Sequence, residues 1–265
     1  MNKFTRRTVI AAACAAAAMT FAPMSFAQQA PEKKDVTIAV GGKSLYYYLP
    51  LSIAEQLGYF KDEGLNVKIV DFQGGSRSLQ AVVGGSADVV SGAFEHTISM
   101  QAKKQPMTAF VLQGRAPQLA LVVSNKTMKD YKQLSDLKGK KVGVTAPGSS
   151  SQMVANFILK KGGLGPKDVA FIGVGSSSGA VSAIRSGQID ALINLDPVIT
   201  ILLKSGDAKL VADTRKVKES ESFFGGTMPA GCLYAPVSFV EKNPKTVQAL
   251  TNAIAVSYTH LTLPT

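Results

Sequence analysis

The 265-residue chain carries 29 Lys and Arg against 18 Asp and Glu, a formal charge of +11 at pH 7, with 46% hydrophobic residues, two cysteines, two histidines and no tryptophan. Its basic residues are scattered, with no run longer than pairs such as Lys140-Lys141 and Lys160-Lys161 and no aromatic interleaving; this argues against a nucleic-acid partner and leaves a solvated positive surface. Two cysteines exclude a disulfide-stapled scaffold, so about 230 mature residues must be held by hydrophobic cores, enough for one large or two modest domains.

Residues 1–27 have the form of an export signal: a basic stretch at 2–7, an apolar one at 8–21 that is short against the ~20 residues of a membrane span, and a small-x-small cleavage site at Ser25-Phe26-Ala27. Arg6-Arg7 also fits a twin-arginine signal, which leaves the export route open. Cleavage removes Lys3, Arg6, Arg7 and Cys14, leaving a formal charge of +8 and Cys232 alone.

The mature chain then alternates short β-branched runs with longer helical ones. "VTIAV" (36–40) precedes Gly41-Gly42 and a helical run from about Leu45 to Leu57, stopped by Gly58. "VKIVDFQGGSRSLQAVVGGSADVV" (67–90) gives strand, Gly-Gly-Ser, helix, Gly-x-x-Asp, strand. "SGAFEH" (91–96) follows as a loop. "MTAFVLQGRAPQLALVVSNK" (107–126) gives two strands separated by Gly114 and Pro117, a crossing between lobes. "KVGVT" (141–145) leads through Pro147-Gly148 into a helical run to about Lys161, and "VAFIGVGSSSGAVSAIRSGQIDALI" (169–193) repeats the pattern of 67–90. The return crossing is expected within "SFFGGTMPAGCLYAP" (222–236). "NPKTVQALTNAIA" (243–255) reads as a Pro-started helix. After it "VSYTHLTLPT" abandons the helical period, and 257–265 has the look of a non-native tail, so no function is assigned to Tyr258 or His260.

The two pairs of units recur at offsets of about 104 and about 101, the mark of two similar α/β lobes that each begin β-α-β-α-β. Ligands of such sheets sit beyond the carboxyl ends of the parallel strands. The loops there are 41–44, 74–76, 146–151 and 175–179, and if the lobes face each other all four open on one cleft.

Several residues in these loops carry chemistry with more than one reading. Ser149, Ser150 and Ser151 open a helix whose free N–H groups and dipole favour an anion, but serine is also an ordinary N-cap. No Lys-Ser or Lys-Thr pair follows Gly148, so the loop is not a nucleotide-binding P-loop. "GSSSG" (175–179) satisfies Gly-x-Ser-x-Gly, but a hydrolase needs a later histidine and the chain offers only His260; Ser176 and Ser177 are read as loop groups within reach of a ligand. Beside Glu95-His96 the mature chain has only Cys232 and, in the tail, His260, with no Cys or His cluster to complete a metal set, which leaves a polar pair lining the pocket or exposed on the surface. Of the three tyrosines in "LYYYLP" (45–50), at most two can face a cleft; Tyr46 or Tyr47 stacks on a planar ligand or packs in the core. Asp196 either accepts a hydrogen bond from ligand or caps the helix that begins at Pro197.

"LPLSIAEQLGYFKDEGLNVKIVDFQGGSRSLQAVVGGSADVV", "QLSDLKGKKVGVTAPGSSSQMVANFILKKGGL" and "IRSGQIDALINLDP" together resemble the nitrate, sulfonate and taurine group of periplasmic solute-binding proteins, over about 36–255. The resemblance implies a two-lobed α/β protein of the periplasmic binding protein type II fold, truncated at its C-terminus, with lobe 1 at 36–118 and 225–256 and lobe 2 at 119–224. It implies a monomer in the periplasm that captures a small anionic organic solute, a sulfonate or carboxylate, and delivers it to the permease of an ABC importer, without catalysis, cofactor or metal. "PGSSS" matches the family's anion loop, so Gly148, Ser149, Ser150 and Ser151 inherit a binding role; read from their own places in the loops, Ser44, Tyr46, Tyr47, Gly75, Ser76, Glu95, His96, Ser176, Ser177 and Asp196 are the further ligand-binding candidates. Gln152 stands where sulfonate binders often have histidine, and Leu195 where relatives often have an aromatic. The alternative is a pyrimidine-precursor-binding protein, or one like the pyrimidine synthase of thiamine biosynthesis, which resembles this family in fold but carries a cysteine-rich motif; this chain has one mature cysteine.

Overall fold

The computed structural model describes residues 30–262; the expected signal at 1–27 and residues 263–265 of the tail lie outside them. The chain runs β1 (Asp35–Val40), a 3-10 turn (Tyr46–Tyr48), α1 (Leu49–Gln56), α2 (Tyr59–Asp62), β2 (Asn66–Asp71), α3 (Gly75–Val83), β3 (Val89–Ala93), α4 (Glu95–Ala102) and β4 (Met107–Leu112). It continues with β5 (Ala120–Ser124), a second 3-10 turn (Leu134–Leu137), β6 (Lys141–Val144), α5 (Ser150–Lys161), β7 (Ala170–Gly173), α6 (Ser178–Ser186), β8 (Ala191–Asn194), α7 (Val198–Lys204) and β9 (Ala208–Asp213). It closes with α8 (Val217–Phe224), β10 (Gly231–Pro236), α9 (Val237–Lys242) and α10 (Pro244–Thr262).

Two five-stranded sheets result, ordered β2-β1-β3-β10-β4 and β7-β6-β8-β5-β9. In each, the first three strands are parallel and the fourth is antiparallel to both neighbours. The fourth strand of each sheet comes from the other end of the chain's path, so the backbone passes between sheets twice, from β4 to β5 and from β9 to β10. The repeated Gly-x-x-Asp has a structural reason: Asp88 accepts the Thr37 N–H at 2.9 Å and Asp190 the Lys141 N–H at 3.0 Å, each tying the strand it precedes to the start of its parallel neighbour.

Burial on both faces explains why strands such as "ALVVS" read as continuous apolar runs. Along β5, Leu121 and Val123 enter one core while Ala120 and Val122 enter another, on opposite faces of the sheet. Each fully buried Leu or Ile of this kind contributes about 1.5–3 kcal/mol.

Two expectations need correction. The helical run expected from Leu45 is split, because Pro50 begins a fresh helix after the tyrosine 3-10 turn. The segment after Ala255 does not leave the helix: α10 runs to Thr262 and packs on α1 and α2, with Ser257 fully buried and its hydroxyl donating to the Pro50 carbonyl. Ser257 follows the buried Ala253 by four residues and Ile254 by three on the same face, a period that the polar identity of serine hid.

Candidate functional site

The four glycine-rich loops meet across the gap between the two sheets. Gly42 has φ +119°, and a Cβ there would collide with the Ser176 hydroxyl; Gly74 has φ +139°, and its Cβ would stand 2.8 Å from Ala146 Cβ. Only glycine permits both that backbone and that approach. Hydrogen bonds then lace the loops together. The Ser76 N–H donates to Ser149 Oγ at 3.1 Å, Ser149 Oγ donates to Ser76 Oγ at 3.2 Å, and Ser76 Oγ donates to the Pro147 carbonyl at 2.9 Å. The Tyr46 N–H donates to the Asp196 carbonyl at 3.1 Å. Toward the outside the gap opens into a pocket of about 560 Å³ lined by Ser44, Asp71, Arg77, Ser176 and Ser177 among others.

The helix-opening serines have three different environments. Ser149 is the N-cap of α5 by backbone, but its hydroxyl serves the contact with Ser76. Ser151 is fully buried, accepts the Thr145 N–H at 3.0 Å and pairs with Thr145 Oγ1 at 2.9 Å, so it braces its own loop. Ser150 is half-buried. The Gly148 N–H donates to Gln152 Oε1 at 2.8 Å, so the Gln152 side chain occupies a donor that an anion would otherwise take.

A second group lies at the carboxyl ends of β3 and β4, inside the first half. Tyr47, Glu95, His96 and Gln113 are all buried, with 8%, 6%, 4% and 4% exposure; Tyr47 OH, Glu95 Oε1 and Gln113 Nε2 have no hydrogen-bond partner within the protein, and His96 Nε2 has none of good geometry, the Gly148 backbone being its nearest polar neighbour. Two of them are held from behind. Ser91 Oγ donates to Gln113 Oε1 at 2.8 Å, which turns the amide nitrogen outward, and His96 Nδ1 pairs with Tyr234 OH at 2.8 Å. Gly231 brings Tyr47 and Gln113 together, since a Cβ there would touch both at 3.4 Å. A Cβ on Gly75 would stand 3.0 Å from His96 Cε1, so the imidazole lies directly beneath that loop.

Burial sets the electrostatics of this group. It pushes the Glu95 carboxyl up to about 7 and the His96 imidazole down to about 4, the latter offset in part by the Gly148 backbone and assisted by Lys103. Burial, and then the proximity of Glu95, hold Tyr47 well above its ordinary value and push the Cys232 thiol up to about 12, where it is inert as a nucleophile.

A family model described as "NMT1/THI5 like" matches residues 46–262. This chain belongs to the NMT1/THI5-like family. A solved protein of Bordetella bronchiseptica RB50 is 63% identical with a TM-score of 0.85, covering 86% of this chain and 72% of its own. The alkanesulfonate-binding protein SsuA from Xanthomonas axonopodis pv. citri, solved bound to MOPS, is 21% identical with a TM-score of 0.69, covering 87% of this chain and 75% of its own. The 4-amino-5-hydroxymethyl-2-methylpyrimidine phosphate synthase of Schizosaccharomyces pombe is 27% identical over 162 residues, 61% of this chain and 45% of the synthase. The two sheets with alternating helices are an α/β fold shared with solved periplasmic binding proteins.

Other residues singled out in the sequence lie apart from the buried group. Tyr46 is 65% exposed and its ring stacks on no other ring among the described residues, while Tyr47 is in the buried group and meets Tyr48 edge-on at 5.1 Å between centroids. Ser44 and Ser177 are exposed at the pocket rim. Asp196 is engaged twice: Oδ1 accepts Thr200 N–H at 3.0 Å and Thr200 Oγ1 at 2.7 Å, and Oδ2 accepts Arg215 Nη1 at 3.0 Å. That is the capping alternative, reinforced by an ion pair. Sequence reasoning missed Gln113 and Arg215. Gln113 had a signal, a polar residue directly after an apolar strand at the ligand-facing edge; Arg215, bidentate to Asp213 at 2.7 and 2.9 Å, had none.

Proposed function

We propose that the chain is a solute-binding receptor of an ABC importer, exported to the periplasm by its cleaved signal and working as a monomer with a permease in the inner membrane. Its lobes, 36–118 with 225–256 and 119–224, close on a small organic solute. The observation that carries this reading is the pairing of interlocked loops with a buried, unpartnered polar group at the strand ends: Ser76 against Ser149 at the mouth, and Tyr47, Glu95, His96 and Gln113 within. A solute touching both lobes stabilises the closed arrangement by its differential contacts. Hydrolytic chemistry has no support in the serines: Ser177, the middle serine of the Gly-x-Ser-x-Gly at 175–179, is exposed at the pocket rim, and among the described residues no hydrogen bond joins it to the buried His96.

A second reading, a pyrimidine-precursor binder or a synthase-like protein, is favoured by the Schizosaccharomyces pombe relative. Both are tested by one experiment. The mature protein is screened by thermal shift against nitrate, taurine, alkanesulfonates, aromatic carboxylates and pyrimidines, and hits are followed by calorimetry and mass spectrometry of the recovered solute. A receptor binds saturably and returns the solute unchanged; a chemically altered product overturns the receptor reading.

A further inference from the structure

Resting on the receptor reading, we propose that Arg215 is a positioning residue for closure: acting through the Asp196 carboxylate, it holds the backbone carbonyl on which the first lobe docks by the Tyr46 N–H.

Arg215 stands where the second crossing leaves its sheet. The residue before it, Thr214, is fully buried and joins the two crossings: its N–H and its Oγ1 both donate to the Leu119 carbonyl, at 2.8 and 2.7 Å, and its own carbonyl accepts the Gln118 N–H at 3.3 Å. The guanidinium therefore starts from a fixed point. Its Nε and Nη2 donate to the two oxygens of Asp213 at 2.7 and 2.9 Å, a fork that already pairs the buried carboxylate at the end of β9. Nη1 is left over, and it reaches Asp196 Oδ2 at 3.0 Å. Pairing Asp213 does not require that third arm, and the Asp196 side chain, 25% exposed, has water within reach.

What the third arm does is fix a loop. Asp196 Oδ1 caps α7 through Thr200, and with Oδ2 taken by Arg215 neither oxygen is free to turn. The backbone carbonyl of the same residue meets the other sheet's loops and accepts the Tyr46 N–H at 3.1 Å. Tyr46 opens the first 3-10 turn, so its N–H has no acceptor inside that turn and takes one from outside. The next residue is Tyr47 of the buried group. One chain of contacts thus runs from the crossing, through Arg215 and Asp196, to the turn that carries Tyr47. A lysine at 215 would keep the charge but has no planar fork to serve both carboxylates.

The test is paramagnetic relaxation in the mature full chain without added solute, with a nitroxide on Ser182→Cys in α6 and amide signals read along α3 around Gln80, both positions being exposed. The effect falls so steeply with distance that it registers a minor closed population. Asp196→Asn keeps the shape of the side chain and its Thr200 cap, and Arg215→Lys keeps the charge. Tyr46→Pro removes the N–H where Leu45 is extended, with ψ 141°, and where proline suits the first residue of a turn; Tyr46→Ala drops only the ring. Melting curves check the folding of each, and with three variants on one chain of contacts the test survives the loss of any one. The expected result is that Asp196→Asn, Arg215→Lys and Tyr46→Pro each lower the relaxation about fivefold, the effect of losing one hydrogen bond. Tyr46→Ala leaves it unchanged, and Asp196→Asn combined with Tyr46→Pro falls no further than either alone. Combined losses that multiply, relaxation unchanged in Asp196→Asn or Arg215→Lys, or no relaxation of α3 in the wild type overturns the inference. The receptor reading is judged separately by the solute screen: saturable binding upholds it whatever the relaxation shows, and absence of binding beside the expected relaxation pattern counts against that reading alone.

Discussion

Replacing Glu95 with glutamine keeps the shape of a buried side chain and removes its titration. In the folded protein burial raises this carboxyl from 4.5 to about 7. The folded state therefore holds the proton more tightly than the unfolded chain. The contribution of a neutral Glu95 is fully present below about pH 4.5 and is lost as the pH rises through about 7, a total of about 3 kcal/mol. His96 works in the opposite sense: its lowered value gives a contribution that is full above 6.5 and lost as the pH falls through about 4. Both proteins carry His96, so the difference between them isolates Glu95. Urea unfolding at intervals from pH 5 to pH 8 should show Glu95→Gln gaining on the wild type by about 2–3 kcal/mol, or by about 5–10 °C in melting temperature for a domain of this size. Parallel stability curves over that range would refute the assignment of Glu95 to a dry, unpaired site.

Two further substitutions separate roles that look alike in the sequence. Ser151→Ala leaves the buried Thr145 N–H unpaired and should cost about 1–3 kcal/mol in unfolding experiments, whereas Ser149→Ala removes a contact between the lobes and should weaken solute binding about fivefold, worth about 1 kcal/mol, with little change in the melting temperature of the free protein. Arg215→Met strands the buried Asp213 carboxylate and frees Asp196; because the pair is partly exposed, the expected loss is about 1–3 kcal/mol, below that of a fully buried pair, read as a fall in urea midpoint at pH 7.

The repeating architecture was legible because both halves punctuate it with the same signals: Gly-Gly or Pro-Gly after the first strand, and Gly-x-x-Asp before the third, where Asp88 and Asp190 each bind a neighbouring strand. The loops that face the gap followed from strand polarity alone. What could not be read was which atom of each loop residue is free. Ser149, Ser150 and Ser151 are equivalent as letters, yet one meets Ser76 from the other half, one is half-buried and one is folded back on Thr145. Asp196 could be weighed as a cap, but its partner Arg215 is distant in sequence and belongs to no motif. The expected anion site rested on the helix start, while four of the buried, unpartnered polar atoms gather at Tyr47, Glu95, His96 and Gln113, where burial rather than motif marks them.

Closure on a solute is the central claim, and a distance across the gap tests it. Gln80 on α3 and Ser182 on α6 are exposed, and their helices border the outer pocket from opposite sheets. Dyes attached to Gln80→Cys and Ser182→Cys, with Cys232 buried and unreactive, report that distance by single-molecule energy transfer. With the solute that raises the melting temperature most, the account predicts a shift from a broad, longer distribution to one shorter population. A solute that binds while leaving the distribution unchanged would contradict it.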